Sequence, residues 1–506
     1  MTRRTALAVV ALVGAAGFWI GAARPRAEVY ESHFENVMGT SLDLKVLATS
    51  EAASDAAETA VLAEIARQSS ILSAYDPSSE FRKWVKTSDV AAPVSPELFE
   101  ILSDFDAWRA RTSGALDASA ETVTRVWQRA AAESRLPTRA ELTDAVAAVR
   151  RTHWTLEPSS RTATHTSDVP LALNSFTKSY VVDHAARRAL KEPGVSGILV
   201  NSGGDLVVRG EWTQTVDVTD PVTHADNGVP VAELVVRDRA VATSGGYKRG
   251  FDIAGQHYSH IVDPRTAQPA GHVLSATVVA PGAVDAGALA TAFCVLSVDD
   301  SLALARTVPG VEFMMVLASG RKVESAGWSA LEQPAQARAL VGSPVGTLYA
   351  ADQTGWQLTI AFELARPGGM ARRPYIAAWI EDADHFPVRT LAVWTDGKTR
   401  YLPELRAWFR ADRLRAMAEG TQILNAVSSA TRNPGKYTLE WDGKDNAGKT
   451  VKAGTYTVLL EVTREHGGYQ LLKQDMELAG APKSVTFPAG AEVTSASFDY
   501  HKTNGG

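Results

Sequence analysis

The 506-residue chain contains very little cysteine and no excess of positive charge. Cys294 is the only cysteine, which excludes an intrachain disulfide and a cysteine-based zinc cluster. Because Cys294 sits in an apolar run, we expect it to be a buried core thiol. The formal net charge is −6, and no stripe of basic and aromatic residues stands out. Nucleic acid is therefore excluded as the main partner.

Generic catalytic motifs and long hydrophobic runs are also missing. The sequence has no HExxH, CxxC pair, GxSxG or Walker loop. Its one long apolar run covers residues 6–20 and follows Arg3 and Arg4. A short basic segment, an apolar run and then small residues are typical of a signal peptide. Residues 1–25 are therefore expected to direct export to the periplasm, with an uncleaved inner-membrane anchor as the alternative.

The rest of the chain has ordinary globular composition and divides into two regions. Residues 28–340 mix helix and strand patterns and predict an α+β domain. Beyond a break near residues 342–344, residues 345–506 show repeated short strands separated by polar and glycine-rich turns. That spacing predicts a β-sandwich, with a helical insertion in residues 400–420.

Local patterns predict several elements of the first region. The alternation in residues 41–48 predicts a strand. Ser95 followed by Pro96 predicts a helix start, and the spacing of the apolar residues after it gives that helix one buried face. A second helix is predicted earlier in the chain. Its expected inward face consists of Leu62, Ile65, Ala66, Ser69 and Leu72.

Eight polar or glycine-rich strings remain, and each has an ordinary structural explanation when it is taken alone. In chain order they are MGT (38–40), LSAYDPSSE (72–80), SGALD (113–117), LALNSFTKSY (171–180), NSGGD (201–205), TSGGY (243–247), HIVDPRT (260–266) and DAGALAT (285–291). A lysine beside a helix N-terminus is a plausible anion site, although it is more often simply solvated. Glycine pairs allow the backbone to approach a ligand, but they also make tight turns.

The order of the strings resembles that of the FAD:protein FMN transferase (ApbE-like) family, from residue 34 to about residue 320. HIVDPRT and NSGGD are the most specific of them. Members of that family cleave FAD with Mg²⁺ and transfer its FMN half, through a phosphoester bond, to a threonine or serine of an exported or membrane redox protein. The resemblance therefore implies an ApbE-like fold, FAD as substrate, Mg²⁺ as cofactor and such a flavoprotein as target.

The resemblance also implies roles for individual residues. The catalytic positions are Lys178, His260 and Thr291. The positions that bind FAD are Met38, Gly39, Thr40, Tyr75, Asp117, Lys178, Gly203, Gly204, Ser244, His260 and Asp263. The metal positions are Thr177, Asp285 and Thr291.

Three positions depart from the family pattern. Ala172 replaces an aspartate, Ser179 replaces a glycine, and Gly287 replaces the aspartate of the metal motif, four residues before Thr291. Asp285 is six residues before Thr291, nominally about 240° away around a helix, so it can ligate only if the helix begins after it. The alternative to an active transferase is a catalytically weakened flavin-binding or scaffold protein that presents its β-domain to a periplasmic redox partner.

The second region carries its own resemblance. WDGKDNAGKTVKAGTYTV (441–458) resembles the turn and strand of immunoglobulin-like modules in flagellar hook-capping proteins. Its position after a flavin transferase resembles that of a periplasmic domain of unknown function. Asp442, Asp445 and Asn446 could bind Ca²⁺, but the pattern favours a solvated hairpin turn.

Overall fold

The structure is a computed structural model. It describes residues 26–221, 230–247, 249–333, 356–366, 371–372, 374–395, 399–419, 428–430, 434–464, 468–478 and 480–502. The predicted signal segment (1–25) and the predicted break (342–344) lie outside the described residues. Among the residues described, no helix is both long enough and apolar enough to cross a membrane.

The helices of the described ranges lie mostly in the first region. They are α1 (Glu51–Leu72), α2 (Glu80–Trp84), α3 (Pro96–Arg111), α4 (Ala120–Ala132), α5 (Arg139–Val149), α6 (Thr177–Ala189), α7 (Ala283–Val295), α8 (Val298–Ala305) and α9 (Arg406–Glu419). Short 3-10 helices cover Trp328–Ala330 and Thr399–Glu404.

The strands before residue 340 are β1 (Glu28–Val37), β2 (Thr40–Ala48), β3 (Ala91–Pro93), β4 (Trp154–Glu157), β5 (Thr162–His165), β6 (Val195–Ser202), β7 (Asp205–Gly210), β8 (Thr213–Val218), β9 (Ala232–Arg237), β10 (Ala240–Gly245), β11 (Gly250–Ile253), β12 (Gln256–Ser259), β13 (Val262–Asp263), β14 (Gln268–Pro269), β15 (Val273–Ala280), β16 (Glu312–Leu317) and β17 (Lys322–Glu324). Those after residue 350 are β18 (Trp356–Leu364), β19 (Ala371–Arg372), β20 (Tyr375–Glu381), β21 (Pro387–Thr395), β22 (Ser428–Ala430), β23 (Lys436–Trp441), β24 (Gly454–Thr463), β25 (Tyr469–Leu478), β26 (Lys483–Phe487) and β27 (Val493–Lys502).

An antiparallel sheet in the order β17-β16-β15-β10-β7-β6-β2-β1-β19 organises the first region. Neighbouring residues along a strand point to opposite faces, so Val207 joins one hydrophobic core while Val208 joins another. Helices α1, α6 and α7 contact this sheet and contribute to the larger core. The α+β class predicted from sequence is confirmed.

The predicted helices form, but one of them buries a different face. Ser95 caps α3 by accepting a hydrogen bond from the Leu98 backbone N–H, as predicted. In α1, Ile65 and Leu72 are buried as expected, whereas Ala66 is exposed and Val61 and Gln68 are buried instead. Alanines occur on all sides of α1, so the spacing of its apolar residues is compatible with burial of either of two adjacent faces. Packing against the sheet determines which face is buried.

The second region is a β-sandwich, as predicted. A four-stranded sheet (β23-β18-β27-β26) faces a five-stranded sheet (β22-β21-β20-β24-β25), and both contribute side chains to one core. Helix α9 is the predicted insertion, and its Trp408 packs with Trp379 of the larger sheet in a separate core. The two-residue strand β19 pairs with β1 of the first sheet. The exact domain boundary stays a prediction.

Candidate active site

Helix α7, strand β10 and the loop before α6 meet at two hydroxyl groups. The Thr291 hydroxyl donates a hydrogen bond to the Ser175 carbonyl oxygen at 3.2 Å. It lies 3.3 Å from the Ser244 hydroxyl, from which it can accept. Both side chains are half-buried. The structure therefore brings together two of the predicted residues, Ser244 and Thr291, and adds a carbonyl oxygen that sequence reasoning missed.

The first turn of α6 carries the predicted lysine. In the described structure no side chain caps this helix, whose N-terminal amides favour anions. Lys178 Nζ lies 3.8 Å from Asp205 Oδ2, and the Ser179 hydroxyl donates to Asp205 Oδ1 at 2.5 Å. Burial raises the pKa of Asp205, an effect that Lys178 and Ser179 oppose. Thr177 Oγ1 is buried and has no hydrogen-bond partner among the described residues.

Two glycine-rich turns lie side by side at one end of the sheet. Strands β2 and β6 are antiparallel neighbours, so the β1–β2 turn adjoins the β6–β7 turn. Met38, Gly39, Gly203 and Gly204 all have positive φ angles, which favour glycine at three of these positions. A Cβ built on Gly203 would lie 2.6 Å from the Thr40 hydroxyl oxygen, so the two turns are in close contact.

Tyr75 is next to the same loop but stands in solvent. Its side chain is 80% exposed, so it does not pack into the core. The phenol oxygen accepts a hydrogen bond from the Asn174 side-chain amide at 2.9 Å, one residue before Ser175. This bond fixes the end of the ring and leaves its faces open for stacking.

His260 follows the β11–β12 hairpin. Its Nδ1 lies 3.0 Å from the Arg249 carbonyl oxygen, which can only accept, so the Nδ1 nitrogen carries the proton. Although the side chain has an exposed surface, packing around the ring lowers the pKa of His260, and nearby Arg249 and His257 lower it further. The imidazole is therefore neutral at pH 7, with a lone pair on Nε2.

Asp263 is engaged within its own turn. Its carboxylate accepts two hydrogen bonds from the Arg265 guanidinium and one from the Arg265 backbone N–H, all at 2.9 Å. Asp263 and Arg265 therefore form an ion pair within this turn, close in sequence to His260. The role of Asp263 in binding FAD stays a prediction.

Asp117 belongs to a different cleft. It is 4% exposed, forms an ion pair with Arg109 at 2.6 Å and accepts two hydrogen bonds from Ser119. With Arg265 it lines a cleft of about 600 Å³. The structure therefore groups Asp117 with the turn that contains Arg265.

Asp285 does not join the Thr291 group. Helix α7 begins at Ala283, before Asp285, so the condition under which Asp285 could ligate beside Thr291 is not met. Burial raises the pKa of Asp285, whereas Arg111 of α3 lowers it. Burial, Glu100 and then Asp285 raise the pKa of Asp104, also on α3, to about 6. The helix turns this carboxylate away from Thr291.

Gly287 occupies the position that shares a face with Thr291. A Cβ built there would overlap the Ser179 hydroxyl and would lie 3.2 Å from the Phe176 Cβ. In the described ranges, no group of three acidic, histidine or cysteine side chains could hold a metal. Hydroxyl and carbonyl oxygens surround Thr291, and they fit a hard cation only if a carboxylate joins them. Asp205 is the last residue of the NSGGD string, but it was not among the site residues predicted from the sequence.

Comparisons with known proteins agree with this architecture. The ApbE family model matches residues 38–315, and the model "Predicted periplasmic protein (DUF2271)" matches residues 357–495. Relatives named FAD:protein FMN transferase include those of Klebsiella pneumoniae (28% identical; 56% of this chain and 83% of that protein), Treponema pallidum (29%; 61% and 90%) and Escherichia coli K12 (27%; 62% and 92%).

Solved structures of the family share the fold. The ApbE protein of Thermotoga maritima is 26% identical, with a TM-score of 0.55 over 61% of this chain and 100% of that protein. The apo form of the flavinyl transferase ApbE of Pseudomonas stutzeri is 22% identical, with a TM-score of 0.51 over 60% and 97%. Since the family model covers more than half of its residues, the chain belongs to the ApbE family.

Proposed function

We propose that this chain is an FAD:protein FMN transferase, which moves the FMN half of FAD onto a threonine or serine hydroxyl of an exported redox protein. One observation carries the proposal: Lys178, Ser244 and Thr291 lie around one end of the sheet, next to two glycine-rich turns and an uncapped helix N-terminus. That arrangement suits a diphosphate, and relatives to which this chain is similar in sequence are named for this reaction.

The substrate-binding roles follow from exposure and charge. Lys178 and the N-terminal amides of α6 offset the negative charge of the phosphates. The backbone at Gly203 and Gly204 allows a close approach because it carries no side chain. Tyr75 offers an open ring face on which a flavin or adenine can stack. Met38, Gly39 and Thr40 border the same turns.

The transfer itself requires one bond to form and one to break. The target hydroxyl oxygen bonds to the phosphorus on the FMN side, and the bond from that phosphorus to the bridging oxygen breaks, so that AMP leaves. The hydroxyl proton needs an acceptor, and neutral His260 has a lone pair on Nε2 for this purpose. Positioning of the two reactants supplies much of the rate in such reactions.

The reaction is proposed to depend on Mg²⁺. The oxygens of Thr291, Ser244 and Ser175 would hold the ion, with Thr177 in the adjoining helical turn. When it is bound, the ion neutralises phosphate oxygens as charge develops.

Export to the periplasm fits the match of the second region to a predicted periplasmic domain. Residues 1–25 carry the export signal in this proposal, and the anchoring alternative stays open. The β-domain then lies in the compartment where exported redox proteins reside, although its own ligand is not part of the proposal.

Mass spectrometry tests the proposed activity. The purified protein is incubated with FAD, Mg²⁺ and an exported flavoprotein subunit, and the target is analysed for the added mass of FMN. We expect the modification on one threonine or serine, and its loss when that residue becomes alanine. If FAD binds but no exported subunit gains the mass, the chain is a flavin-binding or scaffold protein instead.

A further inference from the structure

Helix α7 presents Gly287 and Thr291 on one face, toward the first turn of α6. Residues four apart on a helix are about 40° apart around its axis, so both positions look in nearly the same direction. At Thr291 this face reaches the Ser244 hydroxyl and the Ser175 carbonyl oxygen. At residue 287 it reaches Ser179, whose hydroxyl occupies the space that any side chain would need.

That space is closed from two sides. The Cβ position of residue 287 overlaps Ser179 Oγ and lies 3.3 Å from the Cα of Phe176, which is backbone and cannot rotate away. Gly287 is itself buried. A carboxylate can therefore not be carried on α7 beside Thr291 unless Ser179 gives way first.

The same hydroxyl holds the carboxylate of Asp205. Ser179 donates to Asp205 Oδ1 at 2.5 Å, while Asp205 Oδ2 forms a long 3.8 Å ion pair with Lys178. A carboxylate has about four lone-pair positions, so Asp205 can accept further partners. The Ser202 hydroxyl in the same turn is fully buried and unpartnered among the described residues, as is Thr177 Oγ1 in the first turn of α6.

We propose that Asp205, held by Ser179, supplies the anionic ligand of a divalent-cation site whose other oxygen donors are Thr291, Ser244 and the carbonyl of Ser175. Residue 287 must be glycine in this arrangement because a side chain there would displace Ser179 from Asp205. The inference rests on the proposed function, since it names the group that would hold that function's cation. It replaces Asp285, which the fold turns toward α3.

Manganese binding without flavin tests the site directly. Mn²⁺ affinity is measured by electron paramagnetic resonance on the full chain, alongside the melting temperature. Asp205→Asn should weaken Mn²⁺ binding at least about tenfold, and Ser179→Ala should weaken it by about the same factor, because loss of an orienting partner costs about 10- to 100-fold. Asp144→Asn, which removes an exposed carboxylate on α5, should leave the affinity unchanged.

Position 287 provides the second arm. Gly287→Ala should lower the melting temperature and the Mn²⁺ affinity together, because the new Cβ pushes Ser179 off Asp205. In the double variant Ser179→Gly, Gly287→Asp, the overlapping hydroxyl is removed and a carboxylate stands on α7, so the Mn²⁺ affinity should recover. The melting temperature should recover only in part, because the new Cβ still lies 3.2–3.3 Å from Phe176. If Gly287→Ala melts and binds like the wild type, the steric pairing is wrong.

The outcomes separate this inference from the proposed function. Wild-type Mn²⁺ affinity in Asp205→Asn overturns the site, whether or not flavin transfer occurs. If that variant fails to fold, unchanged affinity in Ser179→Ala overturns it instead. Mn²⁺ binding that depends on Asp205, in a protein that modifies no target, would support the site and refute the transferase.

Discussion

Two helix N-termini in this chain differ in how their free backbone N–H groups are satisfied. Helix α9 of the sandwich is closed by the buried carboxylate of Glu461, which accepts hydrogen bonds from the backbone N–H groups of Ala407 and Trp408. Helix α6 of the first region has no side-chain cap from any residue that the structure describes, and it carries Lys178 in its first turn. The N-terminal amides of α9 are already bound by an internal carboxylate and are not available to a phosphate. The open N-terminus of α6, next to a lysine, is available to one.

The same contrast extends to the polar turns. In the sandwich, Asp445 accepts hydrogen bonds from the backbone N–H groups of Ala447 and Lys449, and Asn446 ties the turn to Thr390 of β21. These contacts agree with the prediction of a hairpin turn in residues 441–454. In the first region, the Ser244 and Thr291 hydroxyls lie 3.3 Å apart, and His260 uses Nδ1 on a backbone carbonyl, which leaves Nε2 with its lone pair. These polar groups of the sandwich therefore have structural partners, whereas those of the first region fit the proposed chemistry.

The largest expected effect tests the open helix. Lys178→Met removes the cation beside the N-terminus of α6, and we expect the transfer rate to fall by about a hundred- to a thousandfold, as for loss of a preorganised electrostatic group. The melting temperature should change little, since the ion pair with Asp205 is long. Steady-state kinetics measure the effect. Lys191→Met, at an exposed position just after the C-terminal end of α6, is the control. An equal loss there would mean that the net charge matters, not the position of the lysine.

The next effect concerns His260 and pH. A pKa lowered by desolvation keeps the ring neutral at pH 7, so transfer should be fully supported above the ordinary histidine pKa of about 6.5. As pH falls through the lowered pKa, the ring gains a proton, Nε2 can no longer accept one, and the rate should drop. His260→Ala should slow transfer by about a hundredfold and remove this acid limb. A rate–pH profile with the same limb in that variant would assign it to another group.

A smaller effect should follow in the sandwich. Glu461→Ala leaves two N–H groups of α9 without their acceptor, and we expect the free energy of unfolding of this domain to fall by about 2 kcal/mol. FAD affinity should not change, because Glu461 caps α9 in the sandwich, whereas FAD is proposed to bind in the first region. Urea denaturation and flavin fluorescence measure the two quantities. Glu477→Ala, an exposed residue of β25, serves as the control. A large loss of FAD binding in Glu461→Ala would contradict the division of roles.

The smallest effect is expected from removing the sandwich altogether. Residues 28–340 should fold and bind FAD with an affinity within about twofold of the full chain, because each region has its own core. Only the short pairing of β1 with β19 is lost from the described sheet. Titration of the truncated chain with FAD checks this, and an insoluble product or abolished binding would count against independent folding.

Much of the fold could be read from local patterns. The cap at Ser95, the strand at residues 41–48 and the hairpin at Gly203–Gly204 each depend on residues close in sequence, where period, capping and turn chemistry act directly. The buried face of α1 was misread because alanine is tolerated on either side of a helix. Packing against the sheet, which is a long-range effect, made that choice.

The residues of the candidate site likewise fall into those that the sequence identified and those that it could not identify. The glycine-rich strings and the lysine beside a helix start could be found by eye, and their order carried the family resemblance. Ser175 could not be found, because it contributes a backbone carbonyl, and every residue has one. The ion pair between Asp263 and Arg265 was not predicted either, because the sequence does not tell which partner a carboxylate will take.

The sequence alone determined that this is an α+β chain of ApbE type followed by a β-domain, since these properties follow from patterns and strings that are complete within short segments. Only the tertiary structure decided which oxygens meet. It turned Asp285 toward α3 and set Ser179, which holds the Asp205 carboxylate, against Gly287. The reason is physical: a helix fixes the angle between its own residues, but the neighbour that each face meets is set by the packing of segments more than a hundred residues apart.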